Sequence, residues 1–237
     1  VPDTVTAVTP PWNFPVAIPA GSTLAALAAG SAVVIKPADL ARRSGAVMVE
    51  CLWQAFDETA GRTGVGREVL QLLRASERDL GRRFVAHPLV DRLILTGGYE
   101  TAQLFRTFRP DLPLLAETSG KNAIIVTPSA DLDLAARDVA QSAFGHAGQK
   151  CSAASLVVLV GSVATPPRFR RQLLDAVTSL HVGYPWDPRT QMGPIIAEPG
   201  DKLLCGLTQL GDGETWLLKP QRLDGSGTLW TPGVRDG

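Results

Sequence analysis

The chain has 237 residues, of which 45% are hydrophobic and 19% are charged. This composition excludes disorder for the chain as a whole, because it supplies enough apolar surface to bury a sizeable core. The 23 basic residues are balanced by 23 acidic ones. Proteins that bind nucleic acids concentrate positive charge to neutralise phosphates, so we expect a small-molecule ligand and no nucleic-acid partner.

The cysteines and the start of the chain indicate where the protein resides. Cys51, Cys151 and Cys205 are an odd number at unrelated spacings, with neither the CxxC pairs nor the histidine cluster of a zinc site. We therefore predict no metal site and a reducing, cytoplasmic location. The sequence opens at Val1 without a methionine or a signal segment, and we expect it to be part of a longer polypeptide.

One uncharged stretch, from Thr4 to Ile35, is longer than the roughly 20 residues that a membrane-spanning helix needs. Prolines and glycines interrupt this stretch and would break a spanning helix repeatedly: they are Pro10, Pro11, Pro15, Pro19, Gly21 and Gly30. The same residues punctuate a buried strand, helix and strand, so we predict no membrane span.

The first half of the chain alternates short apolar strands with helices. Strands are predicted at Val5 to Val8, Ala32 to Ile35, Val69 to Leu73 and Leu93 to Leu95, and helices at Ser22 to Ala29, Ser44 to Phe56 and Glu77 to Val85. This alternation is typical of βαβ units in a parallel sheet. We predict an open, doubly wound sheet for this half.

The alternation restarts near Leu112. Strands are predicted at Leu114 to Ala116, Ala123 to Val126 and Leu156 to Val160, and a basic helix at Pro167 to Leu180. Another helix begins after a cap at Ser129 or Asp131, and its apolar side chains share one face: Leu132, Ala135, Ala136, Val139, Ala140 and Ala143. Beyond about Ile196 the periodicity fades, and no element is predicted there.

Standard phosphate-binding motifs are absent, since neither GxGxxG nor GxxxxGK[ST] occurs in the sequence. Two other segments place polar residues directly after predicted strands, where ligands bind in α/β sheets. Asn13 lies between Pro11 and Pro15, and its alternative role is to satisfy main-chain groups in a turn. Lys36 and Asp39 follow another strand, and the alternative is a solvated lysine at a strand end.

Cys151 follows a turn framed by Gly145 and Gly148 and is preceded by Lys150. Exposure and the neighbouring cation favour a reactive thiolate, whereas the alternative is a buried packing residue. Glu117 adds a carboxylate at another predicted strand end. A cysteine nucleophile, an amide donor and a carboxylate base together suit acyl chemistry through a thioester.

Six segments resemble, in order and spacing, the landmarks of the aldehyde dehydrogenase superfamily: Pro11 to Pro15, Lys36 to Asp39, Thr96 to Gly98, Glu117 to Lys121, Gly148 to Cys151, and Gly183 to Pro194. Two of the surrounding stretches, Leu95 to Ala102 and Phe144 to Ala153, look most like the branch that oxidises L-glutamate γ-semialdehyde in proline catabolism. The resemblance implies an incomplete NAD-binding Rossmann-like domain at residues 1–115 and an incomplete catalytic cysteine domain at 116–237. Full-length relatives are expected to be homo-oligomers.

The resemblance also implies catalytic roles. Cys151 would attack the aldehyde to form a thiohemiacetal, and Asn13 with the Cys151 N–H would form the oxyanion hole. Glu117 would activate the water that hydrolyses the resulting thioester. Lys150 and Ser152, which flank the nucleophile, are the candidate substrate-binding residues.

For the cofactor, the resemblance implies that Lys36 and Asp39 bind the adenosine ribose. The turn at Gly97 and Gly98 would let a helix N-terminus approach the pyrophosphate, and Trp12 would line the nicotinamide side. An acid at position 39 repels a 2′-phosphate and favours NAD over NADP.

The sequence departs from the superfamily in a few respects and leaves two other hypotheses open. Asp39 stands where members commonly have Glu, and members are roughly twice as long. The resemblance therefore implies that this chain lacks part of the cofactor and substrate contacts and is not expected to be active by itself. A cofactor-independent thioesterase or acyl transferase would use Cys151 with His146, and a non-catalytic remnant would only bind nucleotide or a partner subunit. Cys51 and Cys205 are predicted to be packing residues.

Overall fold

A computed structural model of the chain describes residues 3–75 and 77–237. It divides into two compact units, of which the first ends at Ser119 and the second begins at Gly120. This division falls four residues after the boundary that we placed between residues 115 and 116. The reason is that the strand carrying Glu117 pairs with the sheet of the first unit.

The elements of the first unit, in chain order, are β1 Val5–Thr9, α1 Ala17–Ala28, β2 Ala32–Ile35, α2 Arg42–Thr63, β3 Leu70–Leu72, α3 Glu77–Val85, β4 Arg92–Gly97, α4 Tyr99–Phe108 and β5 Leu114–Thr118. Within the described residues, the strands form one sheet in the order β3-β2-β1-β4-β5, and every neighbouring pair is parallel. The predicted open, doubly wound α/β sheet is confirmed.

Helices cover both faces of this sheet, as parallel sheets require. Successive side chains of a strand point to opposite faces, and in β1 the buried Ala7 and Val8 enter two different clusters. Val8 packs with Val49 of α2, while Ala7 packs with Ala102 of α4. The first unit therefore has a core on each side of its sheet.

The elements of the second unit are β6 Asn122–Val126, α5 Leu132–Phe144, β7 Ala154–Leu159, α6 Pro167–Thr178, α7 Asp201–Thr208, β8 Thr215–Leu218 and β9 Val234–Asp236. Strands β6 and β7 are parallel, and β8 and β9 are antiparallel. Helices α5 and α6 cover one face of β6 and β7, where Val126, Val139 and Phe169 are buried. The opposite face exposes Ile125 and Leu156.

Several predicted boundaries shift for identifiable reasons. Helix α1 begins at Ala17, five residues before the predicted Ser22, because Pro19 lies in its first turn, where a proline is tolerated. Helix α2 extends to Thr63 and ends at Gly64, whose φ of 69° is the left-handed cap conformation. Asp131, and not Ser129, caps α5 by accepting from the N–H groups of the first turn.

Two further expectations concern apolar and thiol residues. The predicted packing roles of Cys51 and Cys205 are wrong, because both side chains are exposed. In the part of the chain that the structure describes, no helix combines the length and apolarity needed to cross a bilayer. The periodicity missed α7, β8 and β9, which are short elements beyond Ile196.

Candidate active site

The first unit gathers its candidate residues at one edge of the sheet. The parallel register aligns Val8 with Ile35, and Thr96 with Glu117, so the carboxyl ends of the strands lie at a common level. The segments that follow β1, β2 and β4 therefore emerge on the same side as Glu117. Strand β1 has β2 on one side and β4 on the other, which creates the switch point where ligands bind in such sheets.

Trp12 and Asn13 lie in the segment between β1 and α1, and both are half-buried. Pro11 and Pro15 limit the main-chain conformations of this segment, since the proline ring fixes φ. The amide side chain of Asn13 is thus carried by a conformationally restricted connection at the carboxyl edge of the sheet.

Lys36 is buried, with only 7% of its surface exposed, although it carries a charge. Its N–H continues the ladder by donating to the Val8 carbonyl at 2.9 Å, and its Nζ lies 3.3 Å from Asp39 Oδ1. This geometry excludes the solvated strand-end lysine that the sequence left open. A buried ammonium is stable here because a carboxylate accompanies it.

Asp39 begins a single 3-10 turn and accepts from both Lys36 and Arg42, whose Nη2 is 2.9 Å from Asp39 Oδ1. Burial raises the pKa of Asp39, but the hydrogen bonds and charges of Arg42 and Lys36 together outweigh it. The pKa of this carboxyl therefore lies below its ordinary value. Asp39 is an anion between two cations at neutral pH.

The end of β4 leads directly into a helix. Gly98 is the N-cap of α4. Because Gly97 and Gly98 have no side chains, a ligand could approach the main chain closely where β4 ends. The Ser119 N–H donates to the Gly97 carbonyl at 3.1 Å and ties the segment after β5 to this turn. Glu117, two residues earlier in β5, is exposed. A helix N-terminus and a carboxylate thus lie on neighbouring strand ends.

In the second unit, Cys151 occupies a β-turn closed by the Ala153 N–H, which donates to the Lys150 carbonyl at 3.1 Å. Its side chain is exposed, which excludes the alternative of a buried packing residue. The turn follows three successive residues in the left-handed region, His146, Ala147 and Gly148, with φ of 59°, 53° and 69°. Two of them are not glycine, so strained backbone precedes the cysteine.

Gln149 fastens the segment before the cysteine to a distant loop. Its Oε1 accepts from the Ile196 N–H at 2.8 Å, and its Nε2 donates to the carbonyls of Pro194 and His146 at 3.3 and 3.2 Å. In the sequence, Gln149 lies inside the segment that ends at Cys151, but no role was predicted for it. An amide two residues before a candidate nucleophile was the available signal.

Asn122 fastens the segment after the cysteine. Its Nδ2 donates to the Cys151 carbonyl at 2.7 Å and to the Ala153 carbonyl at 3.0 Å. This residue was also missed, because only the fold brings the first residue of β6 beneath a turn 29 residues away. The two candidate substrate residues differ in exposure: Ser152 is exposed, whereas Lys150 is half-buried and folds back over Gly145.

The loop to which Gln149 binds has its own polar network. His181 Nε2 lies 3.1 Å from Asp187 Oδ2, and Arg189 Nη2 lies 2.8 Å from the same oxygen. The hydrogen bonds from Arg189 hold the pKa of Asp187 well below its ordinary value, and His181 adds to this effect. Among the described residues, no three His, Cys, Asp or Glu side chains are grouped to hold a metal ion.

The all-parallel sheet of the first unit, with helices on both faces, makes this an α/β protein of the open, doubly wound class. Residues 1–234 match a protein-family model described as "Aldehyde dehydrogenase family". The chain belongs to the aldehyde dehydrogenase family.

Three similar proteins illustrate the range of the family. The N-succinylglutamate 5-semialdehyde dehydrogenase of Paraburkholderia xenovorans (strain LB400) is 34% identical over an alignment of 241 residues. The alignment covers 99% of this chain and 47% of that protein. The structure of Proline Utilization A (PutA) from Corynebacterium freiburgense is 53% identical with a TM-score of 0.91, covering 99% of this chain and 23% of that one.

The third is a 1-pyrroline-5-carboxylate dehydrogenase from Thermus with bound NAD, which is 32% identical with a TM-score of 0.86. The match covers 99% of this chain and 45% of that one. The chain thus spans less than half the length of each of these relatives. It shares the aldehyde dehydrogenase fold over almost all of its own length.

Proposed function

We propose that the chain is the cofactor-binding and nucleophile-bearing part of an NAD-dependent aldehyde dehydrogenase that oxidises L-glutamate γ-semialdehyde to L-glutamate. The observation that carries this proposal is the exposed Cys151 on a turn that Asn122 and Gln149 fasten from both sides. Family membership supports an oxidoreductase. The similarity to PutA and to a 1-pyrroline-5-carboxylate dehydrogenase supports this choice of substrate.

In the proposed reaction the Cys151 thiolate attacks the aldehyde carbon, and the new C–S bond turns the carbonyl oxygen into an oxyanion. Asn13 and the Cys151 N–H supply hydrogen-bond donors for that oxygen. A preorganised donor at this point is worth about 3 to 4 kcal/mol of activation barrier. The exposure of Cys151 suits this role, because an aldehyde substrate that enters from solvent must be able to reach the thiolate.

The cofactor-binding residues fit a ribose diol. Lys36 and Asp39 form a buried cation and an adjacent carboxylate, which can donate to and accept from vicinal hydroxyl groups. The anionic Asp39 can accept a hydrogen bond from a ribose 2′-hydroxyl but not from an ionised 2′-phosphate, and this supports NAD rather than NADP. The N-terminus of α4 after Gly97 and Gly98 suits a pyrophosphate, and Trp12 offers a flat apolar surface. NAD held by these residues would supply the hydride acceptor that oxidation of the aldehyde needs.

Glu117 acts in the second half of the proposed reaction. Its carboxylate takes a proton from water, the hydroxide attacks the Cys151 thioester, and the C–S bond breaks to release the carboxylic acid and the thiolate. Lys150 and Ser152 would bind the polar end of the substrate. We further propose a cytoplasmic protein whose full-length form is a homo-oligomer.

The test is NADH formation from NAD and L-glutamate γ-semialdehyde, with Cys151→Ala as the inactive variant and Cys205→Ala as the matched control at another exposed thiol. In the full-length protein we expect turnover that needs Cys151, prefers NAD over NADP, and exceeds that with propionaldehyde or N-succinylglutamate 5-semialdehyde. For the chain alone, which spans less than half of its relatives, we expect a thiol reagent to label Cys151 and NAD to protect it, without turnover. Turnover that survives Cys151→Ala would contradict the proposal. Hydrolysis of a thioester at the same rate without NAD would instead support the cofactor-independent hypothesis.

A further inference from the structure

The strand pair β6 and β7 contains an irregularity beside the candidate nucleophile. Asn122 pairs with Ala154, but the next residue, Ala123, pairs with Leu156, so Ser155 is the extra residue of a bulge. The hydroxyl of Ser155 lies 3.4 Å from the Asn122 carbonyl. Bulges redirect side chains next to functional sites. Here the bulge coincides with the residue whose side chain reaches the cysteine turn.

The Asn122 carboxamide uses both of its N–H groups on that turn. One donates to the Cys151 carbonyl at 2.7 Å and the other to the Ala153 carbonyl at 3.0 Å. Aspartate and serine lack two N–H donors on one nitrogen, so the amide is well suited to bridge these two carbonyls. Holding the Cys151 carbonyl fixes the peptide plane that follows the cysteine and restrains ψ of Cys151, which limits how far the Cα–Cβ bond and the N–H of this residue can turn relative to that plane.

The side-chain amides of Gln149 and Asn122 bind different parts of the segment that contains Cys151. Gln149 binds the segment before the cysteine to Pro194 and Ile196, whereas Asn122 binds the carbonyls of the cysteine itself and of Ala153. The Cys151 side chain between these attachment points remains exposed. A turn fixed at its main chain and open at its thiol is the arrangement that a preorganised nucleophile needs.

We propose that Asn122 is a positioning residue for Cys151, which sets the direction of the thiol and of the Cys151 N–H toward a carbonyl substrate. This proposal rests on the proposed role of Cys151 as the nucleophile. It predicts that reactions with a carbonyl, which need a defined approach and an oxyanion donor, depend on Asn122. Simple alkylation needs only an exposed thiol and should not depend on it.

The test compares two reactions at the same sulfur. With p-nitrophenyl acetate, the Cys151 thiolate attacks the acyl carbon, the C–S bond forms, the aryl ester C–O bond breaks, and p-nitrophenolate leaves with the electron pair. With iodoacetamide, the thiolate displaces iodide. Peptide mass spectrometry measures both rates at Cys151, and the exposed Cys51 and Cys205 serve as references within the same molecule.

We expect Asn122→Leu and Asn122→Ala to slow acylation of Cys151 about tenfold or more, and to change its alkylation by less than about twofold. The matched control is Ser155→Ala, which removes a hydrogen bond at the same bulge but leaves the carboxamide in place. This variant should react like the unaltered chain.

Three outcomes would overturn the proposal. Acylation of Cys151 that is unchanged in both Asn122 variants would show that the amide does not position the thiol. Equal changes in alkylation at Cys151, Cys51 and Cys205 would show a general loosening of the fold. In the unaltered chain, acylation of Cys51 or Cys205 as fast as that of Cys151 would instead refute the nucleophile assignment on which the proposal rests.

Discussion

The two units of the chain hold their candidate residues in different ways. In the first unit, main-chain ladders between parallel strands set the positions of Lys36, Gly97 and Glu117, because each lies at or beside the carboxyl end of a strand. In the second unit, side-chain amides of Asn122 and Gln149 fasten an irregular turn. Topology alone therefore locates the first group of residues, whereas single side chains locate the second.

The prediction with the largest expected effect tests whether the second unit unfolds independently of the first. Phe169 is 1% exposed and packs with Val126 and Val139 in the core of the second unit. Phe169→Ala should lower the free energy of unfolding by about 3 to 5 kcal/mol, through lost burial and a cavity. Hydrogen exchange should show the loss of protection in α5, α6, β6 and β7.

Leu134→Ala is the control for this substitution, because Leu134 belongs to the same unit but is 44% exposed. It should change stability far less. An equal loss of amide protection in β1 and β4 after Phe169→Ala would show that the two units unfold together, and the comparison between independent units would fail.

A smaller effect tests how the first unit holds the proposed cofactor-binding segment, residues 36–42. Gly45 lies in α2, and a Cβ there would come within 2.5 Å of Pro37 Cγ, beside Lys36. Gly45→Ala should therefore destabilise the chain by about 1 to 3 kcal/mol through overpacking. It should also weaken NAD binding, since Pro37 must move.

Gly61→Ala is the same substitution in the same helix, but we expect it to change the free energy of unfolding in the opposite direction. Gly61 is exposed, and apart from its chain neighbours and the backbone of its own helix no atom lies within 4 Å of an added Cβ. The better helix propensity of alanine should stabilise the chain by about 0.5 to 1 kcal/mol. Urea unfolding of both variants measures the difference, and two shifts of the same sign would contradict the packing argument.

The regular parts of the fold were predictable from the sequence because burial leaves a periodic trace. Strand β2 and helix α3 have the predicted bounds, Ala32–Ile35 and Glu77–Val85, and the buried face of α5 includes Ala136, Val139 and Ala140 as expected. Parallel pairing then brings the polar strand ends to one edge by geometry alone. No long-range information was needed for that step.

The irregular parts were not predictable, since their causes lie far apart in the sequence. The contact of Asn122 depends on a bulge with β7, and that of Gln149 on a loop 47 residues later. The sequence left Lys36 open between a ligand-binding residue and a solvated lysine, and only the fold shows that it is buried beside Asp39. The exposure of Cys51 and Cys205 depends on which face of each helix the rest of the fold covers.

The smallest expected effect concerns Asp39, whose pKa lies below its ordinary value because Arg42 and Lys36 outweigh its burial. A carboxyl whose pKa is lower in the folded state stabilises the protein when the pH is above the pKa of the unfolded state, about 3.9. This contribution is lost as the pH falls through the pKa of the folded state. The unaltered chain should therefore have a larger free energy of unfolding at neutral pH than the Asp39→Asn variant. That difference should shrink below about pH 4.

Chemical denaturation of both proteins across this pH range measures the change, and Arg42→Met provides the control because it removes the cation 2.9 Å from the carboxylate. In the Arg42→Met background, the loss of stability caused by Asp39→Asn should be smaller at neutral pH. Because the carboxylate is partly exposed, added salt should reduce that loss as well. A difference that stays constant from neutral to acid pH would show that the ion pairs of Asp39 with Lys36 and Arg42 do not stabilise the fold.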